Sequence, residues 1–431
     1  MSFLSNSNTV HVEVRLHRCE KRMQTLQSEI EPQLDAYLKS LKTLRWNFAF
    51  NVNTHIPAIE SILLEKDNGE NGIVKVDNRL KFCYHYYMTQ RPELRSGGGL
   101  FDGEGDVNTD NVDNVISAHH VLLPASEFVG LWDNLIYEEG LKEKLLKFAL
   151  SALSFSQHNV DTNVIACNRL LLLHGPPGTG KTSLCKALAQ KLAVRTQNSF
   201  AYTHLVEINS HSLFSKWFSE SGKLVARLFG KISELVADKN NLVCVLIDEV
   251  ESLAYQRSAM SSNEPRDAMR VVNAVLTQLD DIKSCPNVLI LATSNLPHSI
   301  DLAFLDRADI RQYIGLPAIT AIGSIYKSML TELMARGIVR TEHMENSQED
   351  SEDLINDLAE RSVGLSGRTL RKIPLLAHAH HTTRDLFEVN QKITLSDFLD
   401  AMLLALEQLL AEKRLLKQEA FVQDMSYQTS S

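Results

Sequence analysis

Alternating apolar and polar positions predict β-strands near the beginning of the chain. Residues 10–14 and 46–52 alternate strictly, which is typical of strands with one buried face. Between them, residues 22–44 carry apolar side chains at helical spacing, so we expect a helix that packs on these strands. Residues 74–84 contain two short apolar runs around an Asp-Asn pair, which predicts a hairpin. Residues 1–95 are therefore expected to form a small α+β domain.

The pattern then changes to short apolar runs that alternate with amphipathic helical stretches. Continuously apolar runs are typical of parallel strands buried on both faces, and their alternation with helices predicts a doubly wound α/β sheet over residues 117–316. Residues 317–417 show helical spacing throughout, which predicts a helical lid domain. The apolar runs are residues 170–173, 206–208, 242–247 and 288–292, and the helical stretches include residues 214–237 and 267–282.

Three segments are too polar to form a core. Residues 96–116 combine a glycine run with Asp and Asn, so we expect a flexible linker that tethers a mobile N-terminal domain. Residues 342–353 are acidic and are expected to form a solvated loop inserted in the lid. Residues 418–431 are expected to form a polar tail.

A glycine-rich segment between an apolar run and a helical pattern is the first indication of chemistry. Glycines let backbone N–H groups surround an anion without a Cβ in the way, and the helix N-terminus adds partial positive charge. In a loop with this spacing, Lys181 reaches the β- and γ-phosphates and the Thr182 hydroxyl ligates Mg²⁺. The alternative is a glycine turn that binds nothing. We expect binding of ATP and Mg²⁺ by residues Gly175, Pro176, Pro177, Gly178, Thr179, Gly180, Lys181, Thr182 and Ser183.

Two carboxylates follow the apolar run 242–247. A buried strand there places Asp248 beside the phosphate loop, where it holds Mg²⁺ through water, and points Glu249 at the γ-phosphate, where it polarises an attacking water. Asn295 ends the next apolar strand and is expected to hydrogen-bond the attacking water or the γ-phosphate. Its alternative role is that of a turn residue at a strand end. The acidic pair predicts hydrolysis rather than binding alone.

Together with residues 304–307, these motifs resemble an AAA+ ATPase. The resemblance implies a ring in which a neighbouring subunit supplies an arginine to the γ-phosphate, and Arg307 is the candidate. Such a charge raises the rate by about 10³–10⁵-fold in other phosphoryl-transfer enzymes. Many relatives carry a second arginine where Asp309 lies here, with Arg311 just beyond, so no second finger is assigned. The alternative for Arg307 is a surface ion pair with Asp306 or Asp309.

Residues 211–223 resemble the first pore loop of the protein-remodelling AAA+ branch, which usually reads Lys-Trp-x-Gly-Glu-Ser. The resemblance implies that Trp217 and Phe218 project into a central channel and grip an extended polypeptide. Aromatic side chains suit this task because they contact any sequence through area. Ser219 replaces the usual glycine, and residues 257–266 are assigned to a second pore loop. As an isolated pair, these aromatic residues are more often core.

The resemblance narrows at the start of a lid helix, residues 364–372. Common remodelling relatives read Gly-x-Ser-Gly-Ala there, whereas Arg368 suits a lid-borne sensor of the γ-phosphate. Arg368, together with residues 9–14, 171–192 and 207–223, makes the chain similar to the AAA+ ATPases that remodel HORMA-domain proteins. That branch implies a homohexamer acting on spindle-checkpoint and meiotic-axis HORMA proteins through an adaptor that the N-terminal domain recruits. It also implies a location in nucleus and cytoplasm, at chromosomes and kinetochores.

Composition bounds the remaining alternatives. The chain has 431 residues, of which 23% are charged and 44% hydrophobic, and its net charge of −9 argues against direct binding to nucleic acid or an anionic membrane. Six cysteines without a CxxC pair predict reduced thiols in an intracellular protein. No apolar run reaches the roughly 20 residues needed to span a bilayer. Three rival functions stay open: a nucleic-acid motor or clamp loader, a nucleotide-dependent scaffold, and a katanin-like severing ATPase.

Overall fold

The chain forms two compact units. One comprises Met1–Leu135, Glu139–Gly175 and Lys181–Ile314, and the other Ile136–Glu138, Pro176–Gly180 and Gly315–Ser431. Among the described residues, no helix is both long and apolar enough to cross a membrane. The computed structural model describes residues 9–18, 23–46, 49–50, 56–66, 72–76, 80–90, 118–161, 163–210, 221–251, 265–296, 300, 302–340, 346–380 and 393–429.

The N-terminal part of the first unit is a sheet with one helix packed on it. The sheet has the strand order β3-β4-β1-β6, with β1 antiparallel to β4 and parallel to β6. Alternate β1 residues Val10, Val12 and Val14 share a core with the apolar stripe of α1, which explains why both elements form. The elements are β1 (Thr9–Leu16), α1 (Met23–Ser40), β2 (Thr43–Arg45), β3 (Ala49–Phe50), β4 (Ile59–Lys66), β5 (Ile73–Lys75) and β6 (Lys81–Tyr87).

One expectation for this region is wrong, and a second is met in part. The predicted hairpin at residues 74–84 does not form, because β5 pairs with β2 and β6 pairs with β1, where Tyr86 joins the same core as Val12. Of the strand predicted at 46–52, only Ala49–Phe50 is a strand, Trp46 follows β2, and the other positions lie outside the described residues. Long-range pairing that buries apolar faces therefore prevails over the local turn signal.

The rest of the first unit is a six-stranded sheet with helices on its faces. Its strand order is β12-β8-β11-β10-β9-β7, and all neighbours are parallel except β7, which runs antiparallel to β9. The predicted doubly wound sheet is confirmed, although the phosphate loop follows its second strand because β7 comes first. The elements are β7 (Ala118–Leu123), α2 (Leu131–Asn134), α3 (Leu141–Gln157), β8 (Leu170–His174), α4 (Lys181–Arg195), β9 (Tyr202–Asn209), α5 (Ser221–Ala237), β10 (Asn241–Asp248), α6 (Pro265–Ile282), β11 (Val288–Ser294), α7 (Leu302–Arg307) and β12 (Ile310–Tyr313).

A buried cluster of four charged side chains joins the N-terminal sheet to α4, the helix that follows the phosphate loop. Lys191 of α4 contacts Glu13 at 2.9 Å and Glu65 at 2.6 Å, and Arg195 contacts the same carboxylates at 2.8 and 2.6 Å. Burial raises the pKa of Glu13, but the charges of Lys191 and Arg195 outweigh burial and hold that pKa below its usual value. The N-terminal domain is therefore docked on α4, and the expectation of a mobile tethered domain is not met. The linker predicted at residues 96–116 lies outside the described residues.

The second unit contains a helical lid with its own core. The lid is not all helical, because β13 and β14 form a short parallel pair. Residues 346–353 of the predicted acidic loop begin α9, where acidic residues in the first turns favour a helix N-terminus. The predicted polar tail continues α12 to Thr429, since its sequence contains neither proline nor glycine. The elements are α8 (Ile319–Ala335), β13 (Val339–Arg340), α9 (Asn346–Arg361), α10 (Gly367–Leu370), α11 (Ile373–His380), β14 (Ile393–Thr394) and α12 (Leu395–Thr429).

Candidate active site

The phosphate loop connects the end of β8 to the start of α4. Gly175 has φ +146°, and a Cβ added there would collide with the backbone carbonyl of Ile314, so only glycine fits. The Lys181 side chain is 5% exposed, and its ammonium donates to the Gly175 carbonyl at 2.9 Å. Thr182 and Ser183 follow in the first turn of α4 and are half-buried. A cation and a hydroxyl are thus held at the N-terminal end of this helix.

Loop residues Pro176–Gly180 belong to the second unit, where they pack beside the start of α10. Gly178 has φ +78°, and a Cβ there would lie 2.7 Å from Ser366 Oγ. Its carbonyl accepts the backbone N–H of Arg368 at 3.0 Å, and the carbonyl of Thr179 accepts the Tyr137 hydroxyl at 3.1 Å. The Arg368 side chain is exposed. The loop backbone and the backbone of the predicted lid sensor are therefore in direct contact.

Asp248 lies at the end of β10, in contact with α4 and β11. Its Oδ1 accepts the Thr182 hydroxyl at 2.8 Å, and it also accepts the hydroxyl of Thr293, which is 2% exposed. Carboxylate and hydroxyl oxygens are hard ligands of the kind that Mg²⁺ prefers. The two side chains that the sequence assigns to Mg²⁺ are therefore brought together. With the Lys181 ammonium, they fit a magnesium-bound triphosphate.

Glu249 adopts a left-handed backbone conformation, with φ +57°. This conformation costs a non-glycine residue about 1–3 kcal/mol and needs support from its surroundings. Thr293 Oγ1 accepts the Glu249 N–H at 3.2 Å, and the buried Ser210 hydroxyl donates to the carbonyls of Asp248 and Glu249, each at 2.6 Å. The Glu249 side chain is exposed. Two hydroxyls thus hold the strained turn that carries this carboxylate.

Asn295 directly follows β11 and is half-buried. Its backbone N–H donates to Glu251 Oε1 at 3.0 Å. The other carboxylate oxygen, Glu251 Oε2, is buried and has no hydrogen-bond partner among the described residues. Glu251 therefore anchors the backbone that carries the predicted water-positioning amide.

Arg307 is held within its own chain by a residue that the sequence does not single out. Its Nε and Nη2 contact the two carboxylate oxygens of Asp280 at 2.9 and 2.7 Å, and Nη1 donates to the Ala303 carbonyl at 2.7 Å. The hydrogen bond from Arg307 is the main reason that the pKa of Asp280 falls to about 2. The guanidinium is 26% exposed and is fixed by a bidentate pair.

The two carboxylates considered as alternative partners of Arg307 contact other groups. Asp306 instead approaches Arg311 at 3.7 Å, and both side chains are exposed. Asp309 accepts the backbone N–H groups of Asn168 and Leu170, each at 3.0 Å, and so supports the start of β8.

The predicted pore residues Trp217 and Phe218, and residues 257–264 of the second pore loop, lie outside the described residues. The structure adds Thr293, Ser210, Glu251 and Asp280 to the residues that hold the site. For Thr293 the only signal in the sequence is a hydroxyl near a strand end. Asp280 gives no signal, because its role depends on α6 and α7 packing together.

Comparison with protein families gives two matches. Residues 171–316 match the ATPase family associated with various cellular activities (AAA). Residues 318–410 match the TRIP13-like, AAA+ ATPase lid C-terminal domain. The matched segments contain the loop, both carboxylates and the lid.

Whole-chain comparisons extend these matches. The pachytene checkpoint protein 2 homolog of Danio rerio is 46% identical over 409 residues, which cover 91% of this chain and 92% of that protein. The structure of C. elegans PCH-2 aligns with a TM-score of 0.77 at 32% identity, covering 94% of this chain and 99% of that one. A chain of the E. coli MS115-1 HORMA:CdnC:Trip13 complex aligns with a TM-score of 0.50 at 17% identity, covering 66% of this chain and 93% of that one, which is a likeness of fold.

Proposed function

Since the chain belongs to the family of pachytene checkpoint protein 2 homologues and is an AAA ATPase, we propose that it uses ATP hydrolysis to change the conformation of HORMA-domain proteins. The observation that supports the hydrolytic part is the position of Asp248 at the end of β10, where it contacts Thr182, with Glu249 directly after it. The HORMA part is supported by a relative of the same fold whose solved complex contains a HORMA protein.

Most of the chemistry is assigned to residues of the first unit. Lys181 binds phosphate oxygens, and Thr182 and Asp248 hold Mg²⁺, which neutralises phosphate charge when bound. Glu249 accepts a hydrogen bond from the attacking water and polarises it, a contribution of about 10²–10⁴-fold in rate. Asn295 orients that water. The lid residue Arg368 senses the γ-phosphate.

Mechanical work requires a ring. We assign Arg307 to the γ-phosphate of a neighbouring subunit in a homohexamer, with Asp280 orienting the guanidinium. Trp217 and Phe218 grip the substrate in the channel, and the N-terminal domain recruits a HORMA protein through an adaptor. Action on spindle-checkpoint and meiotic-axis substrates, at chromosomes in nucleus and cytoplasm, belongs to the same proposal.

The Glu249→Gln variant tests the hydrolytic assignment. It is expected to bind ATP and to lose turnover by at least about 10²-fold, because an amide cannot polarise water as a carboxylate does. Glu234→Gln, on an exposed position of α5, is the matched control and should hydrolyse ATP normally. Turnover by Glu249→Gln at the wild-type rate contradicts the assignment.

Mixing two inactive variants tests the ring. Arg307→Ala and Glu249→Gln subunits are each expected to be inactive alone. In mixed rings an Arg307→Ala subunit keeps its own Glu249 and receives Arg307 from its neighbour, so ATPase activity returns. Co-assembly without recovered activity contradicts the assignment of Arg307 to a neighbouring site.

Substrate class is tested with the wild-type protein. A HORMA-domain protein with its adaptor is expected to raise the ATPase rate, and single- or double-stranded DNA to leave it unchanged. The Trp217→Ala variant is expected to lose remodelling of the HORMA substrate. Stimulation by DNA but not by the HORMA protein favours a nucleic-acid motor instead.

A further inference from the structure

One face of the N-terminal sheet carries a group of metal-ligating side chains that the ATPase reaction does not use. In the parallel pair of β1 and β6, His11 lies opposite Cys83, and Glu13 lies opposite His85. Because side chains alternate along a strand, His11, Cys83 and His85 share one face, opposite to the valines that pack on α1. Two ligands at i and i+2 on one strand and one on its neighbour can converge on a single point.

The distances place these three groups within reach of one ion. His11 Nδ1 lies 2.9 Å from His85 Nε2, and the two rings stack with centroids 5.2 Å apart. One ring nitrogen of each histidine and the Cys83 sulfur all lie within 4.8 Å of one another. Tetrahedral zinc with bonds of about 2.0–2.3 Å requires ligand atoms separated by about 3.3–3.6 Å. Small side-chain rotations convert one set of distances into the other.

We propose that His11, Cys83 and His85 bind a zinc ion that links β1 to β6. Imidazole nitrogen and thiolate sulfur are the ligands that zinc favours, whereas the Mg²⁺ used with ATP prefers oxygen. The two ions therefore select different sites in the same chain. Three protein ligands leave the fourth tetrahedral position for water. Solvent can reach this position because all three side chains are only half-buried.

The cations nearest to this group are paired with carboxylates. Lys191 and Arg195 lie on the helix that covers this face, but each is paired with Glu13 and Glu65 at 2.6–2.9 Å. The four side chains carry no net charge together. Metal binding also requires the Cys83 thiol to lose its proton to solvent, and the resulting thiolate offsets part of the ion's charge.

A second histidine pair in the same unit serves as an internal comparison. His120 Nε2 and His204 Nδ1 are also 2.9 Å apart, and their rings also stack. Among the described residues, no ligand atom of a third His, Cys, Asp or Glu completes a group within 4.8 Å around this pair. Two histidines alone make a weak site, so zinc is expected at the first pair and not at the second.

The test is direct metal binding to the full-length protein, stripped with a chelator and supplied with excess Mg²⁺-ATP. We expect one zinc ion per chain, and with cobalt(II) in its place a sulfur-to-metal charge-transfer band. Cys83→Ser should remove the band and weaken zinc binding by at least about tenfold, since even changes in residues around a metal site cost about 10–100-fold. His120→Ala and Cys285→Ser are the matched controls and should retain both.

Zinc is also expected to raise the unfolding temperature of the wild-type protein but not of Cys83→Ser, because a ligand that binds only the folded state stabilises it. Folded wild-type protein without the cobalt–sulfur band overturns the proposal, and this result needs no variant to fold. Equal zinc binding by Cys83→Ser, or loss of zinc from His120→Ala, overturns it as well. None of these readouts depends on ATP hydrolysis.

Discussion

Removing the Lys191 ammonium tests whether the buried charge cluster holds the N-terminal domain on α4. The ammonium contacts Glu13 Oε2 at 2.9 Å and Glu65 Oε1 at 2.6 Å, and all three side chains are 10% exposed or less. Lys191→Met keeps the length of the side chain and deletes its charge, which leaves two carboxylates to share Arg195. Breaking a buried pair in this way costs about 3–5 kcal/mol, because a charge remains buried without its partner.

The control is Lys39→Met, on α1 of the N-terminal domain. Lys39 meets Asp35 at the same 2.6 Å, but its side chain is 59% exposed and the pair spans one helical turn. Such exposed pairs contribute about 0.3–0.5 kcal/mol, so the two variants should differ roughly tenfold in lost stability. Residue type and shortest contact distance are matched, so the contrast reports burial together with the second carboxylate that Lys191 contacts.

The assay is urea unfolding followed by tryptophan fluorescence. Trp132 is 8% exposed, and its ring lies 5.7 Å from Lys191 Nζ, so it reports on this interface. We expect the Lys191→Met transition to occur at clearly lower urea than that of Lys39→Met. Neutralising all four charges together should recover most of the loss, since no unpaired charge then remains. If the two single variants unfold together, the cluster does not hold the domain.

Three further predictions follow from the same contacts. Thr293→Val should lower kcat about 10- to 100-fold, because the Glu249 N–H loses its partner at a cost of about 1–3 kcal/mol. Thr293→Ser keeps the hydroxyl and should stay close to wild type. Equal kcat values for the two variants contradict the positioning role. Because the folded-state pKa of Glu13 lies below its ordinary value of 4.5, the stability it contributes is present above pH 4.5 and is lost as the pH falls through the lowered pKa; acid unfolding of Lys191→Met should show a smaller loss over that range. Asp280→Asn should lower steady-state ATPase about 10- to 100-fold with ATP binding unchanged, since one charge-assisted hydrogen bond of about 1.5–3 kcal/mol no longer orients Arg307. An unchanged rate contradicts the positioning role of Asp280.

Strands buried on both faces are predictable because their whole composition is apolar. The interiors of β10 and β11 are buried throughout, and the runs at residues 242–247 and 288–292 mark them directly. The polar residues at the ends of these strands are predictable as a site, because parallel strands bring their carboxyl ends to one edge of the sheet. Asp248 and Thr182 accordingly meet at 2.8 Å.

Strands with one polar face are harder to interpret. Alternation in β1 predicts correctly that Val12 is buried, but it assigns His11 and Glu13 to solvent, although Glu13 is only 4% exposed. A polar face that is covered by a charged partner has the same local pattern as a face covered by water. The partner, α4, lies more than 150 residues away in sequence, and β4 was missed because its buried positions do not alternate regularly. Glu13 is therefore buried by contact with a distant segment, which the local sequence pattern does not show.

The docking of the N-terminal domain on α4 has a mechanical consequence. Lys181 and Thr182 begin this helix at the phosphate loop, and Lys191 and Arg195 hold the N-terminal sheet near its other end. Because a buried helix transmits displacement as a rigid body, a substrate or adaptor bound by the N-terminal domain is held in register with the nucleotide-binding strand and helix. A flexible tether would transmit no torque. The N-terminal domain is thus expected to act as a fixed platform against which a channel can pull, and weakening the charge cluster should uncouple remodelling from hydrolysis.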